Sequence, residues 1–155
     1  MKVIKSDFKK GSVVVLVEDP DDLWYLSHII EARDMVKGKT TRKMKIGDSD
    51  NAKVVKKTVT LTIEAESIDF AEGRVALRIN GKVKEGPEEI PRDSYHAISL
   101  EEGSQCTISK RKWYDFQKQK LNDAAEPKYQ HLVCMFDREE ALLALTKKFG
   151  YEILT

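Results

Sequence analysis

Thr58-Val59-Thr60-Leu61-Thr62-Ile63-Glu64-Ala65-Glu66 alternates strictly: Val59, Leu61, Ile63 and Ala65 are apolar, and every residue between them is Thr or Glu. Successive side chains of a strand point to opposite faces, so the spacing predicts a strand with one face in a core and one in water. The preceding segment alternates as well. Val36, Gly38, Thr40 and Met44 share one face, while Lys37, Lys39, Thr41, Lys43 and Lys45 share the other. Between the two strands lies Gly47-Asp48-Ser49-Asp50-Asn51, a polar loop signal. The pattern predicts a long hairpin whose lysines stand in a row.

Outward from this hairpin the elements are short. Val13 to Val17 is a β-branched run that reads as a buried strand. Asp19-Pro20-Asp21-Asp22 announces a helix, with Asp19 as cap, Pro20 at the first position and acids against the helix dipole. That helix should reach about Ile30 and bury Leu23, Trp24, Leu26 and Ile30. Downstream, Val75, Leu77 and Ile79 mark a strand, and Asn80-Gly81 reads as a tight turn. Lys84 to Arg92, with Pro87 and Pro91, reads as a loop. Two strands follow, near Tyr95 to Leu100 and Gln105 to Ile108, and then a helix from about Lys110 to Ala125 that packs Trp113, Phe116, Leu121 and Ala124 inward. Short strands between turns imply an α+β fold around a small, strongly bent sheet or barrel.

Pro127 marks a boundary, giving a first domain over residues 1–126 and the start of a second over 127–155. In the second, Leu132 to Phe136 reads as a strand, Asp137 with Glu140 as the start of a helix, Gly150 as its end, and Tyr151 to Leu154 as a strand. This predicts a partial α/β (βαβ) unit. Such a pair leaves an open edge, so the natural protein is expected to continue past Thr155.

The formal net charge is only +1, but it is unevenly spread. Lys37, Lys39, Arg42, Lys43, Lys45, Lys53, Lys56 and Lys57 face only Asp48 and Asp50, a local charge of +6. A prong of this charge suits phosphates; the bland alternative is a row of lysines guarding a sheet edge. A second cluster, Lys110, Arg111, Lys112, Lys118 and Lys120, begins at the expected helix N-terminus, where the dipole disfavours cations.

Other chemistry is weaker. Gly38-Lys39-Thr40 imitates the end of a phosphate-binding loop, but Arg33 stands where its first glycine belongs. Glu64 with Glu66, or Asp19, Asp21 and Asp22, offer carboxylates for a divalent ion, as a metal-dependent RNA endonuclease requires. A solvated strand face and dipole compensation account for them more simply. His28, His96 and His131 have no ligand spacing, and no nucleophile with an orienting partner is visible. No catalytic or metal-ligating residue is therefore assigned. Cys106 and Cys134 are isolated and sit in apolar runs, as buried small hydrophobes in a reducing compartment would. There is no secretory h-region and no apolar run near the ~20 residues of a membrane span. A cytoplasmic location and no membrane partner are expected.

Several stretches together resemble the Pelota family. They are Pro20-Asp21-Asp22-Leu23-Trp24-Tyr25-Leu26 with Ile29-Ile30, Lys39-Thr40-Thr41-Arg42-Lys43, Thr58 to Glu64 with Ile68-Asp69-Phe70, Tyr95 to Leu100, Ile108 to Trp113, and Asp137 to Ala141. The resemblance keeps its order over nearly the whole chain. It implies a Sm-like β-barrel with flanking helices, in a factor that enters the A site of stalled ribosomes as a release factor does. Its expected roles are ribosome rescue, subunit dissociation and no-go mRNA surveillance. Expected partners are decoding-region rRNA, mRNA and a translational GTPase, the last through regions mostly outside this chain. The loop at about Lys45 to Lys57 is the part the family projects into the mRNA channel.

No Asn-Ile-Lys-Ser stretch, the stop-codon signature of related release factors, is present. A divalent-metal endonuclease activity that is sometimes ascribed to this domain of the family finds no convincing site in this sequence. The expectation is a monomer that needs no cofactor, with a divalent cation only under the nuclease alternative; a Sm-like protein-assembly module is a third reading. The RNA contacts expected are Lys39, Arg42, Lys43, Lys45, Lys53, Lys56, Lys57, Arg111 and Lys112.

Overall fold

The computed structural model describes residues 1–46, 53–70, 76–127, 129–147 and 150–154. The loop between Ile46 and Lys53, and the expected strand start at Val75, lie outside the described residues. The chain divides into two compact units, Met1–Ala125 and Glu126–Thr155.

The first unit contains β1 (Lys2–Asp7), β2 (Ser12–Leu16), α1 (Pro20–Ile29), β3 (Met35–Ile46), β4 (Lys53–Asp69), β5 (Leu77–Glu85), β6 (Tyr95–Leu100), β7 (Gln105–Ser109) and α2 (Asp115–Ala125). The strands form one sheet in the order β1-β2-β7-β3-β4-β5-β6, every pairing antiparallel. The sheet is not hydrogen-bonded into a closed barrel among the described residues. Its core face carries Leu61, Ile63, Leu77, Ile79, Ile98, Leu100 and Ile108, all fully buried. Each contributes about 1.5–3 kcal/mol by leaving water. Leu23, Leu26 and Ile29 of α1 join this core. The helix starts as its sequence requires: Asp19 and Asp22 form a capping box, and Pro20 occupies the first turn.

Several local expectations fail for identifiable reasons. β1 was not anticipated, because its pattern is mostly exposed and lysine-rich; it forms by pairing with β2. Asn80-Gly81 is no turn but lies inside β5, opposite an irregular register on β4 between Ala65 and Ser67. There a Cβ on Gly81 would stand 2.0 Å from the Glu64 carbonyl oxygen, so glycine is needed for close backbone approach. Helix α2 begins at Asp115, not Lys110, and its inward residues are Gln117, Leu121 and Ala124. Phe116 points outward, 52% exposed and stacked near Tyr114. Cys106 is buried as expected, but Cys134 is exposed.

In the second unit, β8 (Leu132–Phe136), β9 (Ala141–Thr146) and β10 (Tyr151–Ile153) form a three-stranded antiparallel meander. The expected βαβ unit is thus corrected: the segment after Asp137 is a strand, not a helix. Asp137 Oδ1 accepts from the backbone N–H groups of Glu139 and Glu140, both at 2.8 Å, which closes a turn rather than opening a helix. A short apolar run such as Leu142-Leu143-Ala144-Leu145 reads equally as strand or helix, and the turns on either side decide it.

Candidate nucleic-acid interface

β3 and β4 are longer than their neighbours. β7 pairs with β3 only from Met35 to Gly38, and β5 pairs with β4 only from Thr62 to Asp69. Beyond these limits, among the described residues, β3 and β4 pair only with each other, out to Ile46 opposite Lys53. From Thr41 to Ile46, at ~3.4 Å per residue, this two-stranded ribbon extends about 20 Å.

The register fixes which cations meet. Arg42 lies opposite Lys57, and Lys43 lies opposite Lys56. Like charges directly opposed across strands are destabilising, so sheet stability does not select this arrangement. Scattered lysines would suffice to guard an edge. Lys39, Lys43, Lys56 and Lys57 are exposed, and no ion pair among the described residues neutralises them or Arg42. Lys37, Lys39 and Lys43 share one face with Lys56, while Arg42 and Lys57 occupy the other. Lys45 lies opposite Val54, and Lys53 opposite Ile46, near the ribbon's end. The ribbon therefore carries positive charge on both faces.

The second cluster is taken apart. Lys110 is buried and bonds to Asp34 and, at 3.2 Å, to Glu31. Lys118 pairs with Asp115 at 3.1 Å, and Lys120 stands 5.2 Å from the centre of the Trp24 ring. Arg111 and Lys112 are exposed, with Lys112 stacked over Tyr114 at 5.1 Å. They follow Ser109, whose partner on β3 is Met35. That is the end of β3 remote from Lys43, so the structure does not bring Arg111 and Lys112 to the ribbon.

A further group of polar residues gathers where β6 comes near β3. The Thr40 hydroxyl lies 2.9 Å from His96 Nε2 and donates to the Ala97 carbonyl at 3.3 Å. Arg78 Nε donates to Asn80 Oδ1 at 3.2 Å. Burial holds His96 below its ordinary pKa of 6.5, and the Arg42 and Arg78 guanidiniums push it the same way. A cleft of about 770 Å³ opens here. Sequence spacing gives His96 no partner, because only folding brings it to Thr40.

The carboxylates considered for a metal are engaged elsewhere. Glu64 pairs with Lys84 at 3.4 Å and Glu66 with Lys82 at 3.6 Å. Asp22 is buried and accepts from the Met1 amine at 2.7 Å and the Glu18 backbone at 2.8 Å. Among the described residues, no three His, Cys, Asp or Glu side chains converge as metal ligands do. Cys106 is no nucleophile, since burial pushes its thiol up to about 12.

Comparison with known proteins places these features in a family. A model described as the Pelota N-terminal domain matches residues 1–125. The protein pelota homolog of Methanobrevibacter smithii is 38% identical over 98% of this chain and 45% of its own length. The chain thus spans under half of that relative. Among solved structures, the Thermoplasma acidophilum Pelota protein superposes with a TM-score of 0.69 at 20% identity, over the whole chain and 43% of its own. A model of ribosome-bound archaeal Pelota and ABCE1 gives 0.66 at 32% identity, over the whole chain and 45% of that protein.

Proposed function

The chain belongs to the Pelota family, whose N-terminal domain it carries over residues 1–125, and from that premise we propose that it is the RNA-facing part of a ribosome-rescue factor. In this reading the factor enters the A site of stalled ribosomes and promotes subunit dissociation and no-go mRNA surveillance. The β3–β4 ribbon reaches into the decoding region and grips rRNA or mRNA backbone without reading bases. The carrying observation is the register that sets Arg42 against Lys57 and Lys43 against Lys56 on a ribbon that no third strand joins among the described residues. Opposed cations cost stability in the free protein, and phosphates relieve that cost when bound.

The curled sheet, left open where β6 meets β3, is the body of a Sm-like barrel in this proposal. A translational GTPase and the ribosome-splitting machinery would act through residues of the factor outside this chain. A monomer working in the cytoplasm without a cofactor fits the same picture. The ribosome-facing role is supported by the likeness to a ribosome-bound archaeal Pelota that is 32% identical.

The test is cosedimentation of the chain with ribosomes stalled on an mRNA. Binding to ribosomes with a vacant A site, and not to those with the A site filled by tRNA, is the expected result. Equal binding to both would remove the A site from the reading.

A further inference from the structure

We propose that the surface around the start of α2 is a stacking platform for unpaired RNA bases, separate from the β3–β4 ribbon. Tyr114 and Phe116 are half-exposed, and their rings lie nearly parallel, at 16°, with centres 6.0 Å apart. Phe8, in the turn between β1 and β2, is also exposed and meets Trp113 edge-on, with 5.6 Å between ring centres. Lys118 joins the two groups. Its ammonium stands 5.6 Å from the centre of the Phe8 ring, and its backbone N–H donates to the Tyr114 carbonyl at 3.1 Å. Three exposed aromatic rings therefore share one patch.

The rings are held in place. Trp113 is buried and donates from Nε1 to the Gly11 carbonyl at 2.8 Å, which pins the start of α2 to the β1–β2 turn. The Tyr114 backbone N–H donates to Gln117 Oε1 at 3.1 Å, and the buried Gln117 amide donates to Glu31 at 2.8 Å. A platform fixed in advance loses little freedom when a ligand lands on it.

Charge identifies the partner. Arg111 and Lys112 are exposed, and no ion pair among the described residues engages either. They stand just ahead of α2, where the helix dipole disfavours cations, so helix stability does not select them. Lys9 and Lys10, in the adjoining turn, are exposed as well. Asp115 is the acid beside them on the helix, and it pairs with Lys118. An apolar protein surface would use the rings and leave the cations without partners. A duplex would use the cations but keep its bases stacked out of reach of the rings. Unpaired RNA uses both, with bases on the aromatic faces and phosphates against the cations. Lys112, 5.1 Å from the centre of the Tyr114 ring, has a flexible stem that lets it pass to a phosphate when a base takes the ring. The patch does not depend on the ribbon. Ser109, which leads into it, pairs with Met35, about 27 Å along β3 from Lys43.

The experiment measures, by fluorescence anisotropy, the binding of the full chain to a labelled oligouridylate and to an abasic oligoribonucleotide of the same length and charge. The chain is expected to bind the base-bearing RNA about tenfold or more tightly. Tyr114→Leu/Phe116→Leu keeps apolar volume but removes both rings. It should erase that preference and leave the slope of log affinity against log salt unchanged, since no charge is lost. Lys43→Ala/Lys56→Ala/Lys57→Ala should do the reverse, so failure of the ribbon and failure of this platform give different results. Arg111→Gln/Lys112→Gln, which leaves the rings and the helix in place, is the second variant. It should make the slope shallower by about 1.4 units. Equal binding of the two RNAs by the parent, a preference that survives in the folded double leucine variant, or an unchanged slope for Arg111→Gln/Lys112→Gln overturns the proposal.

Discussion

In the half of the hairpin nearest the core, Val36 faces Ile63 and Gly38 faces Leu61; in the far half, Arg42 faces Lys57 and Lys43 faces Lys56. The two halves belong to the same strands and the same unbroken ladder. In the near half, β5 and β7 flank the pair, and the side chains facing inward are buried. In the far half no third strand pairs with the ribbon among the described residues, and the opposed side chains repel. Stability therefore resides at one end of a continuous element and unneutralised positive charge at the other. In the proposed function, the flanked end holds the charged end out from the body, so that lysines costly to the ribbon alone become useful against a polyanion.

The contrast is most sharply broken by removing apolar volume at each end. Leu61 and Val55 share a face of β4, but Leu61 is fully buried while Val55 is 44% exposed. Leu61→Ala should destabilise the chain by about 2–5 kcal/mol in denaturant unfolding. Val55→Ala should change stability by no more than about 0.5 kcal/mol. Comparable losses at both positions would mean that the far half is part of the core.

A smaller effect of opposite sign is expected from charge. Lys56→Glu converts the Lys43–Lys56 opposition into an attractive pair. Stability should rise by about 0.2–1 kcal/mol while RNA affinity falls. A variant that loses both would show that the cations serve the fold.

The smallest effect concerns pH. His96 in the folded chain lies below its ordinary 6.5, chiefly through burial, so the unfolded chain takes up this proton first as pH falls. The His96 contribution is thus fully present above pH 6.5 and is lost progressively as pH drops from there through the folded-state value. His96→Gln should flatten thermal stability between pH 7 and pH 5. An unchanged slope would place the acid sensitivity elsewhere.

What the sequence reveals follows from the range of the interactions involved. The lysine row and the alternation of Val59, Leu61, Ile63 and Ala65 are legible because strand geometry has period two and depends on nothing distant. The cap at Asp19 is legible too, because it depends only on neighbouring residues, whereas the reciprocal bond from Asp22 that completes a capping box emerges with the fold. Asn80-Gly81 imitates a turn, because the need for glycine there comes from the Glu64 carbonyl on another strand. Lys110 looks like a surface cation until folding supplies Asp34 and Glu31. Phe116 and Gln117 exchange places because the helix begins five residues later than the apolar pattern suggests. The apolar run of β9 carries no period of its own. The cleft around His96 is invisible for the plainest reason, since Arg42, Arg78 and His96 become neighbours only when β6 swings back toward β3.

The central claim is tested most directly by the salt dependence of single-stranded RNA binding, measured for the chain and for the triple variant Lys43→Ala/Lys56→Ala/Lys57→Ala. Each phosphate contact contributes about 0.7 to the slope of log affinity against log salt on a single strand. Loss of three cations should make the slope shallower by about two units while the unfolding midpoint holds or rises. Parallel salt plots for parent and variant would contradict the account.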